Sequence, residues 1–112
     1  MNYQIETTRS FDRAAKRLAK KYRQLKHDLQ GLVEVLAENP WVGVAIPGFS
    51  HTVWKVRLAS TDMQVGKRGG YRVIYIINQR DQMCYLLFIY AKSARTDITS
   101  AEIEELLADW NS

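Results

Sequence analysis

The 112-residue chain contains one cysteine and two histidines. Cys84 therefore has no partner for an internal disulfide. With only His27 and His51 beside it, no Cys/His set at metal-ligand spacing exists, which excludes a zinc module and gives no other sign of a metal or cofactor. Long apolar runs are also missing. The run Tyr85 to Ala91, even with Met83 and Cys84 before it, falls far short of the roughly 20 residues a membrane helix needs. The opening MNYQIETTRS lacks the apolar stretch of a secretion signal, so the expectation is a cytoplasmic protein with no membrane partner. Proline (2) and glycine (6) are sparse, and no linker, low-complexity tract or repeat interrupts the chain. Residues 1–112 are expected to form one domain.

Hydrophobic spacing supplies most of the structural information. Tyr3 to Thr7 alternates weakly and reads as a short first strand. Phe11, Ala14, Ala15, Leu18, Tyr22, Leu25, Leu29, Leu32, Val33 and Leu36 recur at three- and four-residue steps, which only a helix places on one face. Ser10 is the expected N-cap and Asn39-Pro40 the stop. The run is long for a small domain, so a break near Tyr22 to His27 should fold it into a helical hairpin. Trp41 to His51, with Pro47, Gly43 and Gly48, reads as a loop. Val53 to Leu58, Tyr71 to Ile77 and Tyr85 to Tyr90 are rich in β-branched and aromatic residues. They read as strands joined through Gly66 to Gly70 and Asn78 to Gln82, short connections that predict an antiparallel meander. Thr99-Ser100-Ala101-Glu102 has capping-box spacing, and Ile103, Leu106, Leu107 and Trp110 continue a helix over Ser100 to Asn111. The order β-α-α-β-β-β-α predicts an α+β domain with a helical hairpin on an antiparallel sheet.

Charge is segregated along this order. Arg9, Arg13, Lys16, Arg17, Lys20, Lys21, Arg23 and Lys26 face the single acid Asp12 in the first helical stretch. Lys55, Arg57, Lys67, Arg68, Arg72, Arg80, Lys92 and Arg95 face only Asp62 and Asp81 between Val53 and Arg95. Such clusters suit a polyanionic partner, although a basic helix also serves simply as a solvated face. Strand parity sharpens the second cluster. Lys55 and Arg57 share one face of their strand, opposite Trp54, Val56 and Leu58, and Arg72 shares the face of Ile74 and Ile76. A cation among apolar strand residues needs a partner or a function. Cys84 reads as a small buried hydrophobe.

The basic helical pair, the strand Val53-Trp54-Lys55-Val56-Arg57-Leu58, the segment Gly66-Lys67-Arg68-Gly69-Gly70-Tyr71-Arg72-Val73-Ile74-Tyr75 and the pattern Y-x-K-x-x-x-x-D-[IL]-T from Tyr90 together resemble the RelE/ParE superfamily of bacterial toxins. The similarity is greatest to its RelE and HigB-like branch and spans nearly the whole chain. It implies the toxin of a type II toxin–antitoxin system, an mRNA interferase that acts as a ribosome-dependent endoribonuclease. Such a protein enters the ribosomal A site, cleaves mRNA there through the ribose 2′-hydroxyl, inhibits translation, and is neutralised by a cognate antitoxin. Its implied partners are therefore the antitoxin, ribosomal RNA and mRNA.

Carried over by motif, the implied catalytic residues are Lys55, Arg57, Arg72 and Lys92. Arg72 matches the family arginine that stabilises the transition state. Lys55 and Arg57 match paired basic positions where the family has phosphate contacts and the general base. RelE proper has lysine at the position of Arg57, and arginine stays protonated, so Lys55 is the better base. The family arginine after the last strand aligns with Ser93 and the base-stacking tyrosine with Thr99. Lys92 or Arg95 would then serve the leaving group and Tyr90 would replace the stacking residue, unless Thr99 is only a helix cap and Tyr90 only core. Lys67, Arg68 and Arg95 are expected to contact RNA near the cut, and Arg13, Lys16, Arg17, Lys20 and Lys21 to grip ribosomal RNA. Two other readings compete, a non-catalytic ParE-like toxin acting on DNA gyrase and a degenerate toxin that only binds antitoxin.

Overall fold

The computed structural model describes residues 2–63 and 69–112. Strand β1 (Gln4–Thr7) leads into helix α1 (Arg9–Ala19), and a turn at residues 20–24 reverses the chain into α2 (Leu25–Glu38). The hairpin break falls where the spacing predicts it. Three backbone bonds close the turn (Lys21 and Tyr22 N–H to Leu18 O, Leu25 N–H to Tyr22 O), and the Gln24 N–H donates to Asp62 at 2.8 Å. The N-cap is Thr8, not Ser10. Its hydroxyl accepts from the Phe11 N–H and donates to Leu86 O at 3.0 Å, so the helix start is tied to the sheet. Ser10 lies one residue inside the helix, with its hydroxyl against Asp109 at 3.3 Å.

Asn39-Pro40 ends α2 as expected, and a 3₁₀ turn (Pro40–Val42) leads into strand β2 (Val44–Ala45), which the loop reading missed. Two residues are too few to show a period, and β2 exists because it pairs with Lys55 and Trp54. Beyond it, Gly48 (φ 92°), Ser50 (φ 53°) and His51 (φ 60°) turn the chain back. Strands β3 (Val53–Leu58), β4 (Tyr71–Asn78) and β5 (Met83–Ala91) form the meander, and α3 (Ser100–Trp110) follows with its predicted Thr99/Glu102 capping box.

The five strands lie in the order β1-β5-β4-β3-β2, with β1 parallel to β5 and all other pairs antiparallel. The sheet is thus mixed, not wholly antiparallel. A parallel pair needs a long connection; here the helical hairpin carries the chain from β1 to the far edge of the sheet at β2, the strands β2 to β4 return it to β5, and nothing local in the sequence signals the pairing. Tyr71, Val73, Tyr75 and Ile77 of β4 pack with Phe11, Leu25, Leu32 and Leu36 of the hairpin. Ile74, Ile76, Val53, Leu87 and Tyr90 point the other way and pack with Ile98 and Ile103. A bulge in β5 keeps this sorting intact. Tyr75 pairs with Leu86 and Ile74 with Phe88, so Leu86 and Ile89 share a face at a spacing of three.

Tyr75 also pins the β2 end of the sheet. Its hydroxyl donates to Pro40 O at 2.7 Å and accepts from the Gly43 N–H at 3.2 Å. Tyr75→Phe leaves both backbone groups without that partner and is expected to cost about 1–3 kcal/mol in chemical denaturation.

Candidate functional site

The face of the sheet turned away from the helical hairpin carries the cations that strand parity predicts. Register places Arg57 directly opposite Arg72, and Arg72 directly opposite Tyr90, so three adjacent strands present a row Arg57-Arg72-Tyr90. Lys55, Ile74 and Phe88 form the neighbouring row. Arg72 is only 6% exposed and donates to Tyr71 O at 3.2 Å, whereas Arg57 is open to solvent. Burial, and then the Arg57 guanidinium, push the Arg72 pKa below its usual value. Like charges directly opposite on adjacent strands are destabilising, and an anion bound between them relieves the repulsion.

The segment linking β5 to α3 closes over one side of these rows. Lys55 Nζ donates to Asp97 Oδ1 at 3.3 Å, an ion pair with side chains 33% and 66% exposed. The Ile98 N–H donates to the same Asp97 oxygen at 2.8 Å. That bond, with Lys55 behind it, holds the Asp97 pKa below its usual value. Lys92 Nζ donates to Thr96 O at 2.8 Å. Arg95 lies over the Tyr90 ring at 5.4 Å, donates through Nε to Asp97 O at 3.0 Å, and is bonded to both Glu102 oxygens at 2.6 and 2.7 Å. Glu102 in turn closes the capping box.

Arg95 and the Thr99 backbone N–H together lower the Glu102 pKa from 4.5 to about 2. A carboxylate depressed on folding stabilises the native state above its unfolded value, and that stabilisation is lost as pH falls toward the folded value. Wild-type stability should therefore decline between about pH 4.5 and pH 2, and Glu102→Gln should flatten that decline in denaturation curves taken across the range.

Several expected residues lie elsewhere. Arg13, Lys16, Arg17, Lys20 and Lys21 are all exposed, but on the hairpin, which covers the opposite face of the sheet. The two basic surfaces are therefore separate. Lys67 and Arg68 lie outside the described residues. Tyr90 is 4% exposed beneath Arg95 and offers no ring face to a base, so its part is in the core. Trp54 faces the hairpin side, packs edge-on against Trp41 at 5.4 Å, and donates to His51 O. Cys84 is buried on the hairpin side, with its thiol pushed up to about 12 by desolvation. His27 and His51 are exposed, and His51 sits at the far end of β3, where Thr52 bonds Ile77. Thr99 is the cap of α3. The partners Asp97 and Glu102 were missed as site residues, although Asp97 is the aspartate of the Y-x-K-x-x-x-x-D-[IL]-T pattern. Among the described residues no cluster of metal-ligating side chains occurs, and no helix is long and apolar enough to cross a membrane.

A shallow depression of about 440 Å³ runs past Lys55 and Arg57, bordered by Val42, Gly43 and Val44. A larger apolar groove of about 900 Å³ lies between α1 and α2, away from the cationic rows.

The model of the RelE toxin of the RelE/RelB toxin–antitoxin system matches residues 3–109. The chain belongs to the RelE toxin family. Solved structures show the same fold. The toxin–antitoxin complex RelBE2 from Mycobacterium tuberculosis aligns at TM-score 0.63 and 20% identity, over 87% of this chain and 95% of that one. A mutant of the Escherichia coli toxin RelE in the free state aligns at 0.63 and 16%, over 97% and 98%. The isolated E. coli RelE toxin aligns at 0.55 and 18%, over 96% and 98%. The RelE-family sheet is thus the element that carries Arg57, Arg72 and Lys55 here.

Proposed function

We propose that this RelE-family toxin is a ribosome-dependent endoribonuclease that cuts mRNA in the A site at the Arg57-Arg72 rows. The observation that carries the reading is the pairing of two guanidiniums directly across β3 and β4, one of them buried. That arrangement sets two like charges against each other across the strand pair. It is suited to a phosphate whose charge grows as the ribose 2′-oxygen attacks. Arg57 and Arg72 hold the phosphate, Lys55 supports it from the next row, and Lys92 serves the leaving 5′-oxygen. Lys67, Arg68 and Arg95 remain proposed RNA contacts near the cut, with Arg95 first having to leave Glu102. The exposed cations of α1 face away from the cut and contact ribosomal RNA, so the protein bridges ribosome and message. No cofactor takes part in this scheme.

A cognate antitoxin is the second proposed partner, in keeping with the toxin–antitoxin complex among the structural relatives. Its segment that meets the basic surfaces should be acidic.

The test is primer extension on a defined mRNA with and without translating ribosomes, beside a gyrase supercoiling assay. New 5′ ends that appear only with ribosomes, at protein concentrations that leave supercoiling intact, are the expected outcome. Inhibited supercoiling without mRNA cleavage would transfer the assignment to a ParE-like gyrase poison. Inactivity in both assays, from folded protein free of antitoxin, would leave only antitoxin binding.

A further inference from the structure

Attack by a ribose 2′-hydroxyl needs a group to take its proton, and the cationic rows contain no obvious one. Arginine does not accept it, and Lys55 is an ammonium bonded to a carboxylate. His27 and His51 lie away from the rows, and Cys84 is buried on the other face. The Tyr90 phenol is buried in the row itself, and burial raises its pKa. Two carboxylates border the rows. Both oxygens of Glu102 are bonded to Arg95, and Oε1 also accepts from Thr99. Asp97 differs, because Oδ1 takes both the Lys55 ammonium and the Ile98 N–H. Among the described residues its Oδ2 has no hydrogen bond, and the side chain is 66% exposed.

Resting on the nuclease reading above, we infer that Asp97 is the general base, with Oδ2 accepting the 2′-hydroxyl proton while Lys55 and the Ile98 amide fix the carboxylate through Oδ1. The position fits. Lys55 and Arg57 are two residues apart on one face of β3, about 7 Å at ~3.4 Å per residue. A phosphate on the guanidiniums and its adjacent 2′-oxygen span a gap of that order, with hydrogen bonds of about 2.6–3.2 Å at each end.

The step balances within the chain. Asp97 takes the proton, the O2′–P bond forms and the P–O5′ bond breaks. The departing 5′-oxygen takes a proton from the Lys92 ammonium, leaving a 2′,3′-cyclic phosphate and a 5′-hydroxyl. Water then returns the proton from Asp97 to Lys92. The groups facing Asp97 are Lys55 from β3, with Lys92 and Tyr90 from the end of β5. The two cations favour the ionised carboxylate, the form a base requires.

The experiment is single-turnover cleavage of mRNA on programmed ribosomes by wild type, Asp97→Asn and Asp97→Ala, with binding to the programmed ribosome measured in parallel. Loss of a general base predicts a fall on the order of 10²–10⁴-fold in rate for both variants. Ribosome affinity should be unchanged or higher, since a negative charge has left a phosphate site, and added formate should restore part of the Asp97→Ala rate. The wild-type rate should also stay level from about pH 7 to about pH 5, because the base remains ionised there. A variant rate within about threefold of wild type would overturn the assignment. So would a loss that tracks weakened binding and ignores formate, which would make Asp97 only a brace for Lys55. Wild type that cleaves nothing on ribosomes would overturn the nuclease reading and this one together.

Discussion

Arg72→Met is expected to slow mRNA cleavage on ribosomes by about 10²–10³-fold, the usual consequence of deleting one preorganised donor to a developing oxyanion. Fold and thermal stability should be retained. Arg72 sits in the middle strand with its backbone fully paired, among Ile74, Ile76 and Leu87 on the same face, and it is held there as a cation against the charge of Arg57. Methionine fills a similar volume, removes the like-charge pair and needs no desolvation of a charge. The stability change should therefore lie within about 1 kcal/mol, of either sign. Single-turnover kinetics with a circular dichroism melt separates the two quantities. A variant that still cleaves near the wild-type rate would remove Arg72 from the chemistry. One that unfolds would make it a structural cation.

Gly70→Ala should have the largest effect on the fold. A Cβ at Gly70 collides with the Leu58 carbonyl oxygen and presses on the Ala59 Cα at 3.1 Å, both backbone atoms that cannot rotate away. Gly70 also accepts from the Lys92 N–H at 2.9 Å, so its backbone is clamped from the β5 side as well. Relief has to come from separating the ends of β3 and β4, where Arg57 faces Arg72. Overpacking of this kind costs about 1–3 kcal/mol and can exceed that where backbone has to move. Cleavage should fall with stability, unlike in Arg72→Met. Equilibrium denaturation checks the first part and the cleavage assay the second. Wild-type stability in Gly70→Ala would mean that the strand ends yield without cost.

Gly70 illustrates how far a residue's role can lie from its local sequence. Gly70 read only as part of a turn, because the carbonyl it must clear belongs to a strand twelve residues earlier. The helical hairpin, the three long strands and the capped α3 were legible, since each repeats its apolar residues at the period of its own backbone. Spacing alone puts the N-cap two residues late, because Thr8 is fixed as the cap by a bond to Leu86, 78 residues away. Strand β2 and the parallel docking of β1 were invisible for the same reason, being products of pairing and not of local preference. Within the site, parity alone put Lys55, Arg57 and Arg72 on one face. Their anionic counterparts were harder to see. Asp97 and Glu102 reach the cations only through the chain reversal after β5; in the sequence Asp97 is a lone carboxylate in a loop, open to solvent like most others, and Glu102 reads only as half of the α3 capping box. The segregation of charge suggested two basic surfaces, and only the fold shows that they lie on opposite sides of the sheet.

In the proposed reaction the cationic rows promote attack by the ribose 2′-hydroxyl on mRNA held in the ribosome. Messages that carry a single 2′-deoxynucleotide immediately 5′ of the mapped cut, compared with the all-ribose message on the same programmed ribosomes, remove the attacking group and nothing else. Cleavage of the all-ribose message to a 2′,3′-cyclic phosphate and a 5′-hydroxyl end, with no cleavage at the deoxy position, is the predicted result. Equal cleavage of both messages would exclude the 2′-hydroxyl as the nucleophile.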